Sequence, residues 1–347
     1  MSKAPSQQLN IKSYNSIELF AGAGGLALGL EKAGINHLLL NEIDKYAAKS
    51  LKTNRPEWNV ICDDIKNIDF TPYQGIDIVT GGFPCQAFSY AGKKRGLEDT
   101  RGTLFYEFAR ALKESNAKVF LAENVRGLLS HDKGETIKTI IATFEELGYH
   151  VYEPKLLKAI YHHVPQKRER IFIIGIKKEY QKKAKLEWPT PNKTIFTLKD
   201  ALKKGALYNC DVPKSNGQSY PQKKKEVLDL VPPGGYWRDL PLDIQKKYMQ
   251  KSFYLGGGKT GIARRISWDE PCLTLTCSPA QKQTERCHPE ETRPFEVREY
   301  ARIQTFPDDW VFEGSITQQY KQIGNAVPVN LAQSIGKTLI TLLDSIS

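Results

Sequence analysis

Residues Ile17–Gly34 read IELFAGAGGLALGLEKAG, and this stretch decides the fold class of the chain. Its first four residues form an apolar run that predicts a strand, and leucines at helical spacing predict a helix that ends at Gly34. A glycine-rich turn over residues 22–25 lies between them. A strand that enters a helix through such a turn lets the backbone approach a ligand closely. The stretch therefore predicts a βα unit that binds a ligand at its turn.

The alternation of strands and helices continues along the first half of the chain. The predicted strands are His37–Leu40, Asn59–Cys62, Ile76–Thr80, Val119–Ala122 and Ile171–Ile176, and the predicted helices are Thr103–Lys113 and Glu135–Leu147. The apolar runs are continuous rather than alternating, which is typical of strands covered on both faces. This order predicts an α/β fold with a doubly wound, mainly parallel sheet.

The pattern changes after about Lys177, where prolines, glycines and lysines become frequent. We predict a catalytic and cofactor-binding domain over 14–185, a smaller irregular domain over 186–317, and a C-terminal segment over 318–347 that returns to the first domain. The chain has no run of about 18 apolar residues that could span a membrane. Its first ten residues lack the apolar core of a signal peptide, so we expect a cytoplasmic protein.

The formal net charge of +11 indicates an anionic partner, and nucleic acid is the obvious one. A merely solvated basic surface is the alternative interpretation. The lysines are concentrated between Lys177 and Lys225, whereas the first half of the chain is closer to balanced. The position of the charge therefore assigns a nucleic-acid contact to the irregular domain.

The six cysteines show no spacing typical of a disulfide framework, and we expect free thiols. Cys272, Cys277, Cys287 and His288 are close in sequence but lack the paired C-x-x-C spacing of a compact zinc finger. We therefore expect no metal site.

The glycines of the turn argue against a nicotinamide cofactor, because the third glycine of a G-x-G-x-x-G fingerprint is displaced here to Gly29. Glu42 ends the second predicted strand and is placed to bind ribose hydroxyls. Asp64 follows the third strand and could accept a hydrogen bond from an adenine amino group. These features indicate another nucleoside cofactor; an ordinary tight turn with two surface acids is the alternative.

Residues 81–86, GGFPCQ, follow the fourth predicted strand, at the edge where α/β proteins place their chemistry. A lone cysteine such as Cys85 is most often a small buried side chain, so a catalytic role requires partners. Glu123 ends the neighbouring strand, and Arg168 and Arg170 lead into another.

Cysteine, acid and arginine together suit methylation of cytosine. A thiolate added to C6 activates C5 toward an electrophilic methyl group, an acid at N3 neutralises the ring, and an arginine holds the ring oxygen. The target base would have to flip out of its duplex to react.

The ordered motifs resemble the cytosine-C5 DNA methyltransferases of bacterial restriction–modification systems over nearly the whole chain. The similar segments are FAGAGG (20–25), FPCQ (83–86), DTRGTL (99–104), ENV (123–125), QKRER (166–170), REYARIQTFP (298–307) and GNAVP (324–328). The resemblance implies S-adenosyl-L-methionine as cofactor, the methyltransferase fold of enzymes that use it, and a seven-stranded sheet whose last strand is antiparallel.

The resemblance also implies roles for individual residues. It implies catalysis by Cys85, Glu123, Arg168 and Arg170; cofactor contacts by Phe20, Gly22, Gly24, Glu42, Asp64, Ile65, Pro84, Leu104 and Asn325; and substrate contacts by Gln86, Ser89 and Asn124.

In this family the irregular domain is the target-recognition domain, which is expected to read the DNA sequence. Arg264 and Arg265 are candidates for bidentate contacts to guanine, and phosphate contacts or plain surface are the alternatives for each. Thr274 is expected to support the phosphates beside the flipped base.

The expected partner is double-stranded DNA, bound by a monomer, with a restriction endonuclease of the same system acting without direct contact. Two alternative functions stay open: the same chemistry on RNA, and a catalytically silent DNA-binding homologue.

Overall fold

The computed structural model describes residues 13–84 and 103–347 of the chain. Its strands are β1 (Tyr14–Leu19), β2 (Ile35–Asn41), β3 (Val60–Ile61), β4 (Ile78–Gly81), β5 (Val119–Val125), β6 (Tyr149–Val151), β7 (Lys155–Lys158), β8 (Gln166–Lys167), β9 (Glu169–Lys177) and β10 (Cys272–Leu273). Its helices are α1 (Gly25–Ala33), α2 (Lys45–Asn54), α3 (Leu104–Ser115), α4 (Glu135–Glu146), α5 (Leu198–Leu202), α6 (Gln222–Asp229), α7 (Leu242–Met249), α8 (Val297–Ile303), α9 (Ile316–Asn325) and α10 (Val329–Asp344).

Five parallel strands form the main part of the sheet, in the order β3-β2-β1-β4-β5. β9 pairs antiparallel with β5, and β6 and β7 pair antiparallel with successive parts of β9. The predicted doubly wound, mainly parallel sheet with an antiparallel last strand is confirmed, but the sheet has eight strands instead of seven, because β7 also pairs with β9. β6 and β7 were not predicted, because they are short and the exposed lysines of β7 interrupt its apolar pattern.

Helices cover both faces of this sheet, as adjacent residues of β5 illustrate. Phe120 packs against the aromatic rings of α3 and α4, with its ring centroid 4.2 Å from that of Phe144. Leu121 points to the opposite face and belongs to a cluster that includes Leu339 and Leu342 of α10. Burial on both faces explains why the central strands have continuous apolar sequences.

Gly29 and Gly336 allow α1 and α10 to pack closely. A Cβ at Gly29 would collide with Ala332, and a Cβ at Gly336 would lie 2.6 Å from the Cβ of Ala33. The glycine that is out of place for a dinucleotide fingerprint therefore serves helix packing, and a side chain there would overpack the interface.

The two helices beside the glycine-rich turn begin and end as their sequences predict. α1 follows Gly24, with φ 86°, and ends at Gly34, with φ 106°; both backbone conformations favour glycine. Asp44 caps α2 by accepting hydrogen bonds from the backbone amides of Tyr46 and Ala47.

The second half of the chain contributes to two different cores. Residues from Tyr220 to Cys287 form a small core of their own, around Trp237 and Ile262. By contrast, Phe306 and Trp310 pack in one cluster with residues of α1 and α2. This cluster contains residues from all three predicted segments, and the domain boundaries at residues 185 and 317 stay predictions.

The described helices are all too short or too polar to cross a lipid bilayer.

Candidate active site

A cavity of about 880 Å³ opens at the carboxyl edge of the parallel strands. Its walls come from the ends of β1, β2, β4 and β5, the start of β9, and the turn between α9 and α10. Parallel α/β sheets bind ligands at this edge, because the strands end there and the following turns leave a crevice.

The glycine-rich turn forms one wall and is held in an unusual backbone conformation. Phe20 has a positive φ of 56°, which a bulky residue rarely adopts, and Gly22 follows with φ 55°. The backbone amide of Ala21 donates to the carbonyl of Asn41 on β2, 3.0 Å away. From the far side, Trp310 donates its indole N–H to the carbonyl of Ala23 at 3.2 Å. The turn is therefore fixed from both sides.

Glu42 lies at the end of β2 and is tied to this turn. One carboxylate oxygen accepts from the amide of Gly22 and the other from the amide of Asp44, both at 2.7 Å. Burial raises the pKa of Glu42, while these amides oppose the increase. Each carboxylate oxygen can accept more than one hydrogen bond, so Glu42 can still receive the hydroxyls of a sugar in the cavity.

Five of the nine predicted cofactor residues line the cavity: Phe20, Gly22, Glu42, Pro84 and Asn325. The other four are not among its lining residues. Gly24 instead lies against Leu51 and Trp310, Asp64 accepts the amide of Lys66 in a short turn, Ile65 is buried in a core, and Leu104 is the first residue of α3.

Several cavity residues were not predicted from the sequence. Ile43 is 68% exposed although it is apolar, and Lys321 forms an ion pair with Asp44 at 3.0 Å across the rim of the cavity. Glu18 is buried within β1, and this burial raises its pKa to about 8. The position of Ile43 directly after Glu42 was the available signal; Lys321 and Glu18 gave none, because only the fold brings them to the cavity.

Glu123 and Arg170 form a nearly buried ion pair in the opposite wall. Arg170 Nε lies 2.7 Å from Glu123 Oε1, and both residues line the cavity. Val125 pairs with Arg170 across the two antiparallel strands, so Glu123 is two residues from that position and on the same face. Burial raises the pKa of Glu123, although the charges of Arg170 and Arg168 lower it. The two strands therefore bring the predicted acid and one of the two predicted arginines into contact, and their catalytic roles stay predictions.

The carboxylate of Glu123 occupies the space that a side chain at residue 82 would fill. A Cβ at Gly82 would lie 2.7 Å from Glu123 Oε2, closer than carbon and oxygen can approach without contact strain. The glycine that precedes Phe83-Pro84 is therefore required by the acid on the neighbouring strand.

Asn124 supports the chain that leads to Cys85. Its side-chain amide donates to the carbonyl of Phe83 at 2.8 Å, and its oxygen accepts the amide of Val125 at 2.9 Å. Asn124 is also one of the residues that line the cavity, and its predicted substrate contact stays a prediction.

Arg168, which was predicted to be catalytic, is not among the residues that line the cavity. It is buried and donates to the carbonyl oxygens of Leu275 and Gly324, at 3.1 and 2.9 Å. Burial lowers the pKa of its guanidinium. Arg168 lies between β8 and β9, outside both strands, whereas Arg170 lies within β9. The two-residue period of a strand therefore does not apply to Arg168.

Cys85, Gln86 and Ser89 lie outside the described residues, and their roles stay predictions. Pro84 is the last described residue before them; it is exposed and lines the cavity. The described range that ends at Pro84 therefore ends at the wall of the cavity, which Glu123 also lines.

The position of the Arg265 side chain contradicts the prediction that it contacts a base. It is 4% exposed and donates to the carbonyl oxygens of Val231, Leu228 and His288 and to the hydroxyl of Thr292. With its donors used inside the protein, the guanidinium has no free edge for a guanine.

Arg264 is engaged in a similar way. It donates to the carbonyl of Gly234 at 2.6 Å and forms an ion pair with Glu270 at 2.5 Å. Its predicted base contact would require that ion pair to break. The hydroxyl of Thr274 donates to the carbonyl of Lys167 at 2.6 Å, so its proton is likewise not available to a phosphate.

Among residues 13–84 and 103–347, no group of three or more histidine, cysteine and acidic side chains is arranged to hold a metal ion. Cys272 and Cys287 belong to different cores.

Comparison with known proteins gave consistent matches over nearly the whole chain. The family model described as C-5 cytosine-specific DNA methylase matches residues 14–341. The Type II methyltransferase M.Eco47II of Escherichia coli is 67% identical over 335 residues, which cover 96% of this chain and 80% of that protein. The Type II methyltransferase M.PspPI of a Psychrobacter strain is 63% identical over 335 residues, with the same coverage.

Solved structures agree on the fold. A protein described as a DNA modification methyltransferase encoded within an Escherichia coli prophage superposes with a TM-score of 0.72. The match covers 95% of this chain and 99% of that chain, at 23% sequence identity.

Proposed function

The chain belongs to the C-5 cytosine-specific DNA methylase family, and we propose that it methylates carbon 5 of one cytosine within a specific DNA site. The observation that carries this proposal is the Glu123–Arg170 pair, which shares one cavity with Glu42 at the point where the chain leads to Cys85. Protection of host DNA in a bacterial restriction–modification system is the biological role that fits this activity.

The lining of the cavity fits S-adenosyl-L-methionine. Glu42 would accept hydrogen bonds from the ribose hydroxyls, and the apolar side chains of Phe20, Ile43 and Pro84 would pack against the adenine. When bound, this cofactor supplies an electrophilic methyl group.

Cys85, Glu123 and Arg170 would each contribute to a different part of the methylation reaction. The thiolate of Cys85 adds to C6 of a flipped cytosine, which makes C5 nucleophilic. After C5 has gained the methyl group, a base from the solvent takes the C5 proton. The C6–sulfur bond then breaks, Cys85 leaves as the thiolate, and the ring is aromatic again. Throughout, Glu123 faces the ring nitrogen N3, where its raised pKa favours the protonated form that can donate. Arg170 holds Glu123 in place and supplies positive charge for the ring oxygen.

Bisulfite sequencing of plasmid DNA from cells that express the chain tests this function, with Cys85→Ser as the matched control. We expect protected cytosines at one recurring short motif, absent from the control. If every cytosine were converted in both samples, the proposed activity on DNA would be wrong. Transfer RNA would then be the next substrate to test.

We further propose that the enzyme acts as a monomer on double-stranded DNA in the bacterial cytoplasm. A single active site can serve both strands of a recognition site in two separate events. Light scattering of the protein with and without a duplex would report its mass; a dimer in either sample contradicts the proposal.

A further inference from the structure

A loop of the second half of the chain lies directly beside the active-site cavity. The two ends of the loop formed by residues 276–284 lie close together. The hydroxyl oxygens of Thr276 and Thr284 are 3.3 Å apart. At this base, Cys277 Sγ lies 3.0 Å from the side-chain oxygen of Asn325, which lines the cavity. We call residues 276–284 the cavity-side loop.

The backbone of the cavity-side loop is held by the small core around Trp237. Lys224 donates to the carbonyl of Ala280 at 2.6 Å, and Lys282 donates to the carbonyl of Tyr248 at 2.8 Å. Gly261 packs so closely against Gln283 that a side chain at residue 261 would strike its carbonyl. These contacts fix the loop relative to the site before any substrate binds.

Two side chains of this fixed loop have no described partner. Gln281 and Gln283 are exposed, and no hydrogen bond joins either side-chain amide to another residue in the described ranges. An amide carries both donors and an acceptor, so it can pair with a base edge that offers both. From Ser278 to Thr284 the loop contains no acidic residue and one lysine, which suits approach to a polyanion.

We propose that Gln281 and Gln283 contact base edges beside the target cytosine and thereby contribute to the recognition sequence. This inference rests on the proposed function, since it names part of the DNA contact of the same site. It gives these glutamines the base contacts that were predicted for Arg264 and Arg265, since Arg265 donates to carbonyl oxygens within the protein and Arg264 is held in an ion pair with Glu270.

A base contact differs from a phosphate contact in what its loss does. Removing a base contact lowers activity on the preferred sequence alone, whereas removing a phosphate contact lowers binding to all sequences and reduces its salt dependence.

The experiment compares Gln281→Ala, Gln283→Ala and the double variant with the wild-type enzyme. The substrates are a duplex with the motif found by bisulfite sequencing and duplexes that each carry one substituted base pair. Gln181→Ala is the matched control, since Gln181 is an exposed glutamine beyond the end of β9 that lies away from the cavity.

For the double variant we expect kcat/KM on the preferred duplex to fall about 10- to 100-fold, with little change on duplexes altered at the positions that the glutamines contact. The melting temperature and the affinity for S-adenosyl-L-methionine should stay at wild-type values, and Gln181→Ala should behave as wild type. An equal loss on all duplexes, or no loss on any, would overturn the inference. Absence of DNA methylation by the wild-type enzyme would instead overturn the proposed function.

Discussion

Arg170 is buried at the carboxyl edge of the sheet, and Arg265 is buried beside the small core around Trp237. Of these two arginines, Arg170 lines the active-site cavity and Arg265 does not. Arg170 faces Glu123 across two paired strands, whereas Arg265 is surrounded by carbonyl oxygens inside its core. Successive side chains of a strand point to opposite faces of the sheet. The position of a residue within a strand therefore indicates the face to which its side chain points. The region around Arg265 has no such period, and only its packing decides where a charged side chain points.

The largest expected effect is at the sheet edge. Glu123→Gln keeps the size of the side chain but removes its acid, so we expect methyl transfer to slow by about 10²- to 10⁴-fold in single-turnover assays. Glu169→Gln is the control, since Glu169 lies on the next strand and pairs with Arg126 outside the cavity. A Glu123→Gln rate close to that of the wild type would remove the acid from the mechanism.

The pH profile of the same reaction gives a second readout. Burial raises the pKa of Glu123, and the protonated form is the one that donates, so the single-turnover rate should decline as pH rises through that pKa. The decline should be missing from Glu123→Gln, whose amide does not titrate in this range. An identical profile in both proteins would assign the titration to another group.

The next largest effect is expected in the small core. Arg265→Leu leaves several buried carbonyl oxygens without a donor, and we expect the free energy of unfolding to fall by about 3 kcal/mol or more, measured in urea. Arg238→Leu, an exposed arginine in the same region, should change it much less. If Arg265→Leu were as stable as wild type but methylated new sites, the arginine would be a base contact after all.

A smaller effect is expected at Glu18, which is buried in β1. Its pKa is raised to about 8 by burial, so the folded state holds a proton that the unfolded state has released above about pH 4.5. Wild-type stability should therefore decrease from pH 5 to pH 8, on the order of a few kcal/mol at most, and Glu18→Gln should show a flatter dependence. Parallel curves in urea titrations across this range would show that Glu18 is charged in the folded protein.

The smallest effect is expected at Asn124. Asn124→Ala removes the hydrogen bond to the carbonyl of Phe83, which is worth about 1 kcal/mol, and should lower kcat/KM by about tenfold through a less ordered approach to Cys85. Cofactor affinity should not change. Asn36→Ala removes a comparable but exposed hydrogen bond, to Ser13, and serves as control. A changed cofactor affinity in Asn124→Ala would mean that the residue shapes the cofactor wall instead.

The sequence predicted the elements whose pattern is local. The strand, turn and helix around Gly24, the caps at Gly34 and Asp44, and the continuous apolar strands all follow from short-range geometry. It did not predict α9, nor the strands β6 and β7, which have three and four residues and form by pairing with β9.

Among the site residues, the sequence by itself determined which groups lie at the carboxyl edge of the sheet. Glu42 directly follows β2, and Glu123 lies near the end of β5, so these two residues reach the edge at which the parallel strands end. Arg170 lies near the start of β9, which is antiparallel to β5 and therefore begins at that edge. Their roles in binding and catalysis stay predictions for experiment.

Only the tertiary structure decided which polar side chains remain free. Arg168, Arg264 and Arg265 satisfy carbonyl oxygens and a carboxylate of distant segments, whereas Gln281 and Gln283 keep their amides in solvent. A buried polar group must find a partner within the protein, and that partner can lie anywhere in the sequence. For that reason the direction and availability of a charged side chain in an irregular region are properties of the packed chain, not of its residue type.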